Sequence, residues 1–287
     1  MDLAQFARFA ITASVILLVF ALGLRATFAD ATSFFRDFLR PPHRLVRALA
    51  AMYIIVPAVA VSVALAMDLA KPVRAALVAM AVAPIPPILP RKQIKLGGTS
   101  DYIFGLLVAV SVASVVMVPI AVWLLGLAFG RDASFGPEAV AKLIGMTILL
   151  PLGVGLTVAR FAPAIALRAA PLAAGLGNAL LLAGAVPLLI GLWPVLVSIA
   201  GGATIPAMLA VVGTGLAAGH WVGGPAPDER AALALASAMR HPGIALAIAT
   251  LNVPEEPRIP AAILLYLLTA MLATFLYARW QRREAVA

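Results

Sequence analysis

Ala231–Leu251 reads AALALASAMRHPGIALAIATL, an apolar run interrupted at its middle by Arg240, His241, Pro242 and Gly243. Proline has no backbone N–H and clashes with the preceding turn, so a helix entering this run breaks near Pro242. At membrane depth a break frees backbone groups that lipid cannot satisfy, and it survives only against protein or a water-filled cavity. A cation beside it marks a functional site by default. An arginine snorkelling to the interface beside a harmless kink is the bland alternative. The central position of Arg240 and His241 argues against it.

A second run answers the first. Val73–Pro90 is apolar apart from Arg74 and ends in Pro84, Pro86, Pro87 and Pro90, followed by Arg91 and Lys92. Four prolines in seven residues exclude regular helix. Two Pro/Gly-interrupted apolar segments in corresponding places of two halves point to the binding site of a secondary transporter.

Composition agrees with a membrane setting. The 287 residues are 63% hydrophobic and 11% charged, with a mean hydropathy of +1.07. Such a chain is a polytopic all-α membrane protein with the lipid bilayer as its main partner. The net charge of +9 reflects basic loops rather than nucleic-acid binding. With no cysteine, thiol catalysis and cysteine metal sites are excluded. His43, His220 and His241 lack metal-ligand spacing, and no Gly-x4-Gly-Lys-Ser/Thr phosphate loop occurs. No cofactor is expected.

Nine segments are long and apolar enough to span: A, about 8–28; B, 46–67, bent by Pro57; C, 72–90; D, 102–128; E, 139–159; F, 169–197; G, 204–222; H, 230–251; and I, 259–279. A cleavable leader is a weaker reading of A, whose run is long and ends in Arg25. Arg25, Arg36, Arg40, Arg44, Arg47, Arg91, Lys92, Lys95, Arg160, Arg168, Arg230, Arg279, Arg282 and Arg283 fall on one side. Arg8, Lys71, Arg74, Arg131, Lys142 and Arg258 fall on the other. The richer side is expected to be cytoplasmic, with the N-terminus outside, the C-terminus inside, and the chain multi-pass in a cell (inner) membrane. The loop at Arg131–Pro137 divides the chain into A–D and E–I. C and H are each second from the end of their half and run in opposite directions, which predicts an inverted 4+5 repeat with two discontinuous crossing helices.

On these residues the chain resembles the bile acid:sodium symporter family, as a divergent bacterial-type member lacking the first of ten helices. Ala21-Leu22-Gly23-Leu24 with Arg40-Pro41 resembles the family's Met-Gly-Leu and basic-Pro elements. Met52-Tyr53-Ile-Ile-Val-Pro57 resembles Gln-Phe-x-x-Met-Pro. Ala83-Pro84 falls at Cys-Pro-Gly-Gly of the first crossover, and Ser237–Gly243 at Val-Gly-Met-Gln-Asn-Ser-Gly of the second. The resemblance implies a single transporter domain over 1–287. Its core would be about 44–130 and 204–280, its panel about 1–40 and 137–200, and its substrate cavity between them. It also implies sodium, but the positions do not match. The family's sodium-binding Glu falls at Ala236, its Gln residues at Arg240 and Met52, and the first-crossover Ser and Asn at Leu89 and Pro90. Hard cations need oxygen ligands, which these side chains lack.

The candidate substrate or ion site is therefore Pro84, Pro86, Pro87, Pro90, Arg91, Met239, Arg240, His241, Pro242 and Gly243. The expected function is alternating-access transport of a small organic anion, with sodium coupling doubtful. A channel or sensor on the same fold is the alternative. An enzyme is not expected, since C and H hold no intramembrane carboxylate for acid/base work. A homodimer is left open. Lys92 and Lys95 read as helix anchors, Asn178 as an interhelical hydrogen-bonding group, and Asp101 as a first-turn acid or a partner for Arg91 or Lys92.

Overall fold

The computed structural model describes residues 3–36, 44–94, 97–130 and 132–284, with the backbone alone at Leu3, Ala4, Arg36 and Glu284. Arg40, Pro41, His43, Lys95 and Arg131 lie outside these residues.

The described chain is helical from end to end. Segment A is α1 (Leu3–Gly23), followed by two one-turn helices, α2 (Phe28–Ala31) and α3 (Ser33–Arg36). B comprises α4 (Arg44–Leu49), a π-helical stretch Ala50–Ile55 and α5 (Val56–Ala66). C comprises α6 (Lys71–Val82), an irregular stretch and α7 (Pro90–Ile94), and D is α8 (Ser100–Phe129). E joins α9 (Pro137–Ile144), a π-helical stretch Gly145–Leu149 and α10 (Leu150–Phe161). F is α11 (Pro163–Ile199) and G is α12 (Thr204–Val222). H is split into α13 (Pro227–Ala238) and α14 (Pro242–Asn252), and I is α15 (Ile259–Glu284).

Eight of these stretches are long and apolar enough to cross a membrane. The ninth segment expected from the sequence, C, is not among them, because its helix stops at Val82 after 12 residues. Helix needs an N–H from residue i+4, and Pro84, Pro86 and Pro87 withhold it from Met80, Val82 and Ala83. In H the same shortage arises once, where Pro242 cannot donate to Ala238, and α13 ends there. Where the sequence predicts a bend at Pro57, the helix changes register just before it. The π-helical turns widen to i→i−5 pairing, and Val56 N–H reaches Ala51 O.

Helix α1 packs along α10 and α11, while α5, α6, α12, α13, α14 and α15 pack among themselves. Glycines set the closest approaches. A Cβ on Gly23 or Gly155 would strike the other helix's backbone, as would one on Gly184 against Ala7 O. Small residues at such positions let helices in lipid approach until their backbones touch. Asp101, a proposed partner for Arg91 or Lys92, faces Arg44 instead at 3.7 Å. Arg44 also pairs with Glu229 at 2.6 Å, so the starts of B, D and H are joined.

Candidate functional site

The two interrupted segments meet at their breaks. The His241 N–H donates to Pro84 O at 2.8 Å. Further along, Gln93 Nε2 donates to Ala232 O at 2.8 Å, a buried bond between α7 and α13. Pro84, Pro86, Pro87, Pro90 and Met239 are buried, Arg91 and Pro242 are half-buried, and Gly243 is exposed. Pro84 and His241, one from each break, are thus bonded neighbours.

Arg240 lies at the centre of this meeting and is 0% exposed, the largest fully buried side chain among the described residues. Its guanidinium donates three hydrogen bonds, all to backbone carbonyls of different segments. Nε reaches Ser237 O at 3.1 Å, Nη1 reaches Ala83 O at 3.2 Å, and Nη2 reaches Met52 O at 2.9 Å. Each carbonyl is available for a local reason. Ala83 O would pair with the N–H of residue 87, which is proline. Ser237 O would pair with His241 N–H, which serves Pro84. Met52 O would pair, in the i→i−5 register that ends at Val56, with residue 57, also proline. Three backbone interruptions therefore leave three acceptors, and one planar fork of donors satisfies them.

The electrostatics are consistent with a cation here. The C-terminal ends of α6 and α13, each carrying about half a negative charge, both terminate at Arg240. Among the described residues no carboxylate pairs with it, and the titratable groups acting on it are Tyr53 and Tyr266. Burying a guanidinium without a counter-ion costs several kcal/mol. Charge-assisted hydrogen bonds, worth about 1.5–3 kcal/mol each, offset that cost. The hydroxyls of Tyr266 and Ser237 and Nε2 of His241 are buried without a hydrogen-bond partner. His241 Nδ1 accepts from Ile244 N–H at 3.4 Å and caps α14, which leaves Nε2 as the ring's other polar atom.

The positions implied for sodium fit a sodium ion poorly. Ala236 and Leu89 are fully buried apolar side chains, and the carbonyls that a hard cation would take at Met52, Ala83 and Ser237 already hold the guanidinium. A second positive region flanks this centre. Arg91 Nη1 donates to Asn178 Oδ1 at 3.0 Å, joining α7 to α11. Arg25 is close enough to repel Arg91, and Lys92 Nζ approaches Met239 Sδ at 3.7 Å.

Sequence reasoning singled out Arg240 but not its acceptors, which are backbone atoms. The signal for them was present in Pro57 and Pro87, each of which removes a particular donor. Gln93 and Tyr266 carried no such signal.

A sequence profile of the sodium bile acid symporter family matches residues 12–198. That is more than half of the chain. The chain belongs to the sodium bile acid symporter family. No curated protein matches it at a significant level. The match covers α1 to α11 and stops before the second break, so the reading of Arg240 rests on its geometry. Membership makes this integral membrane protein a member of a transporter family, in keeping with the buried polar centre between broken helices.

Proposed function

We propose that this family member is an alternating-access transporter for a small organic anion that works without sodium. The single observation that carries the reading is the carbonyl cage of Arg240. Carbonyl oxygens converging on one point are the ligands a hard monovalent cation would use. Here a tethered guanidinium, charged at any ordinary pH, takes them. Complete burial and three bonds to carbonyls favour Arg240 as a cation in sodium's place over a clamp on the substrate. Substrate charge would then be met by Arg91, Lys92 and Arg25 at the α7–α11 junction, where Arg91 and Asn178 bridge the two packed groups of helices. Those groups support a division into a panel (α1, α10, α11) and a core (the helices around α6 and α13). The paired breaks support an inverted repeat of nine spans crossing near the midplane. Transport without co-transported sodium is uniport, exchange or proton-linked.

Thermal-shift screening of organic anions on the purified protein identifies a ligand, and uptake into proteoliposomes follows. Uptake is expected to change little when choline replaces sodium. A steep sodium dependence would overturn the coupling, and a flux that neither saturates nor is stimulated by substrate on the opposite side would favour a channel. Orientation is tested separately. A single cysteine at Thr32, exposed after α2, is expected to react with impermeant maleimide only from the cytoplasmic side of a cell membrane. Labelling from outside would reverse the proposed topology.

A further inference from the structure

We propose that the cavity between α6, α8 and α14 binds a small amphipathic organic monoanion, a carboxylate or sulfonate on a short apolar chain. The cavity has a volume of about 250 Å³, and Lys71, Arg74, Asp132 and Asn252 provide its polar lining. Its walls are apolar, built from residues such as Val78, Val122, Leu125, Phe129 and Ile248. It lies at the end of the bundle opposite Arg91 and Lys92, away from the carbonyl cage, and does not depend on transport.

Four features select the ligand. The first is an unmet donor: Arg74 Nε is buried with no hydrogen-bond partner, and Nη2 makes only a 3.5 Å contact to Leu69 O. A guanidinium holding an idle N–H beside a cavity presents half of a fork suited to an oxyanion. The second is Lys71, three residues earlier on α6 and so on the same face, which adds an ammonium. The third is charge. Among the described lining residues, two cations against the Asp132 carboxylate leave one net positive charge, which matches a monoanion better than a dianion. The fourth is size. The volume falls below the roughly 300–1,000 Å³ typical of drug-sized ligands, which limits the apolar part to a short chain. Asn252 is not available to the ligand. Its Oδ1 accepts from Ser134 N–H at 2.8 Å, and its Nδ2 donates to Ser134 O and Ile248 O. It holds the segment around Ser134 against α14.

Hexane-1-sulfonate is the probe, titrated calorimetrically into the full chain in phosphatidylcholine nanodiscs. Saturable binding of one anion per chain is expected, with hexan-1-ol and hexyltrimethylammonium not binding. The K71Q/R74Q double variant is expected to bind about tenfold more weakly or worse, as befits lost charge-assisted hydrogen bonds. Asp132→Asn is expected to tighten binding about threefold by removing a like charge, and it gives an independent reading should the double variant fold poorly. No saturable binding, equal binding of the alcohol, or unchanged affinity in both variants would overturn the proposal. So would a response confined to nanodiscs containing phosphatidylglycerol, since the occupant would then be a lipid headgroup. Sodium-dependent uptake would defeat the sodium-free reading of transport and leave this result untouched.

Discussion

Replacing Arg240 by alanine is expected to destabilise the protein severely and, in the same variant, to create a response to sodium that the wild type lacks. The variant leaves Met52 O, Ala83 O and Ser237 O without their donors. An unsatisfied buried acceptor costs about 1–3 kcal/mol. Some of this is recovered because a charge no longer has to be kept out of water, so the net loss is on the order of 3–5 kcal/mol. At about 2–4 °C per kcal/mol, that is on the order of 10 °C in melting temperature. Arg240→Lys should fall between, because an ammonium carries three donors on a flexible stem but cannot span three fixed carbonyls as the planar fork does. The diagnostic arm is the ion. With the side chain gone, the vacated carbonyls are oxygen ligands for a hard cation, and ~100 mM sodium chloride should recover part of the lost melting temperature where choline chloride does not. The wild type should respond to neither. An Arg240→Ala protein as stable as wild type, or a wild type that gains several degrees from sodium, would sink the assignment.

The second large effect is expected from Gly219→Leu in α12. Gly215, Gly219 and Gly223 recur every four residues and form one stripe, and the stripe lies on the backbone of α13. A Cβ at Gly215 would come within 2.6 Å of Ser237 O, one at Gly223 within 2.6 Å of Arg230 Cα, and one at Gly219 would collide with the backbone of Ala234. Backbone cannot yield as a side chain does. The cost should therefore exceed the ~1–3 kcal/mol usual for overpacking, and little folded protein is expected. Gly215→Ala is the milder probe. It pushes on the backbone of Ser237, whose carbonyl is an Arg240 ligand, so stability and activity should fall together, by less than with leucine at Gly219. Gly213→Leu is the control, since it lies on the same helix with no atom within 4 Å of its Cβ position and should be nearly neutral. Equal effects at Gly213 and Gly219 would show that helix propensity, not the α12–α13 contact, decides.

Much of the helical layout was legible in the sequence. G was read to the residue, and B, D and E to within two. The apolar runs and their prolines are local signals, and membrane helices are long enough to average out errors at their ends. Segment C was read eight residues too long, because an apolar run continues through Pro84–Pro90 while the backbone no longer coils. The π-helical stretches at Ala50–Ile55 and Gly145–Leu149 were not legible, since an i→i−5 register changes no residue type. A proline follows each by two residues, at Pro57 and Pro151, and that spacing is the trace they leave. Arg240 stood out as an isolated cation in apolar sequence. The partner of Asp101 did not, because Arg44 lies 57 positions away and only the fold brings it near. The α12 glycine stripe was hidden among 22 glycines, most of which touch nothing comparable.

A positive charge that is part of the chain has an electrical consequence. A single co-transported cation cancels the charge of a monoanionic passenger, so that the membrane potential does no net work on the pair. Arg240 stays with the protein, and a monoanion travelling alone then moves with its own charge uncompensated. Moving one elementary charge through 100 mV is worth about 2.3 kcal/mol, which corresponds to a roughly fiftyfold concentration ratio at 1.4 kcal/mol per decade. Across a membrane that is negative inside, that ratio favours the outer compartment. A uniporter built around this guanidinium would therefore expel a monoanion made in the cell rather than gather one from the medium, and collapsing the membrane potential should slow it.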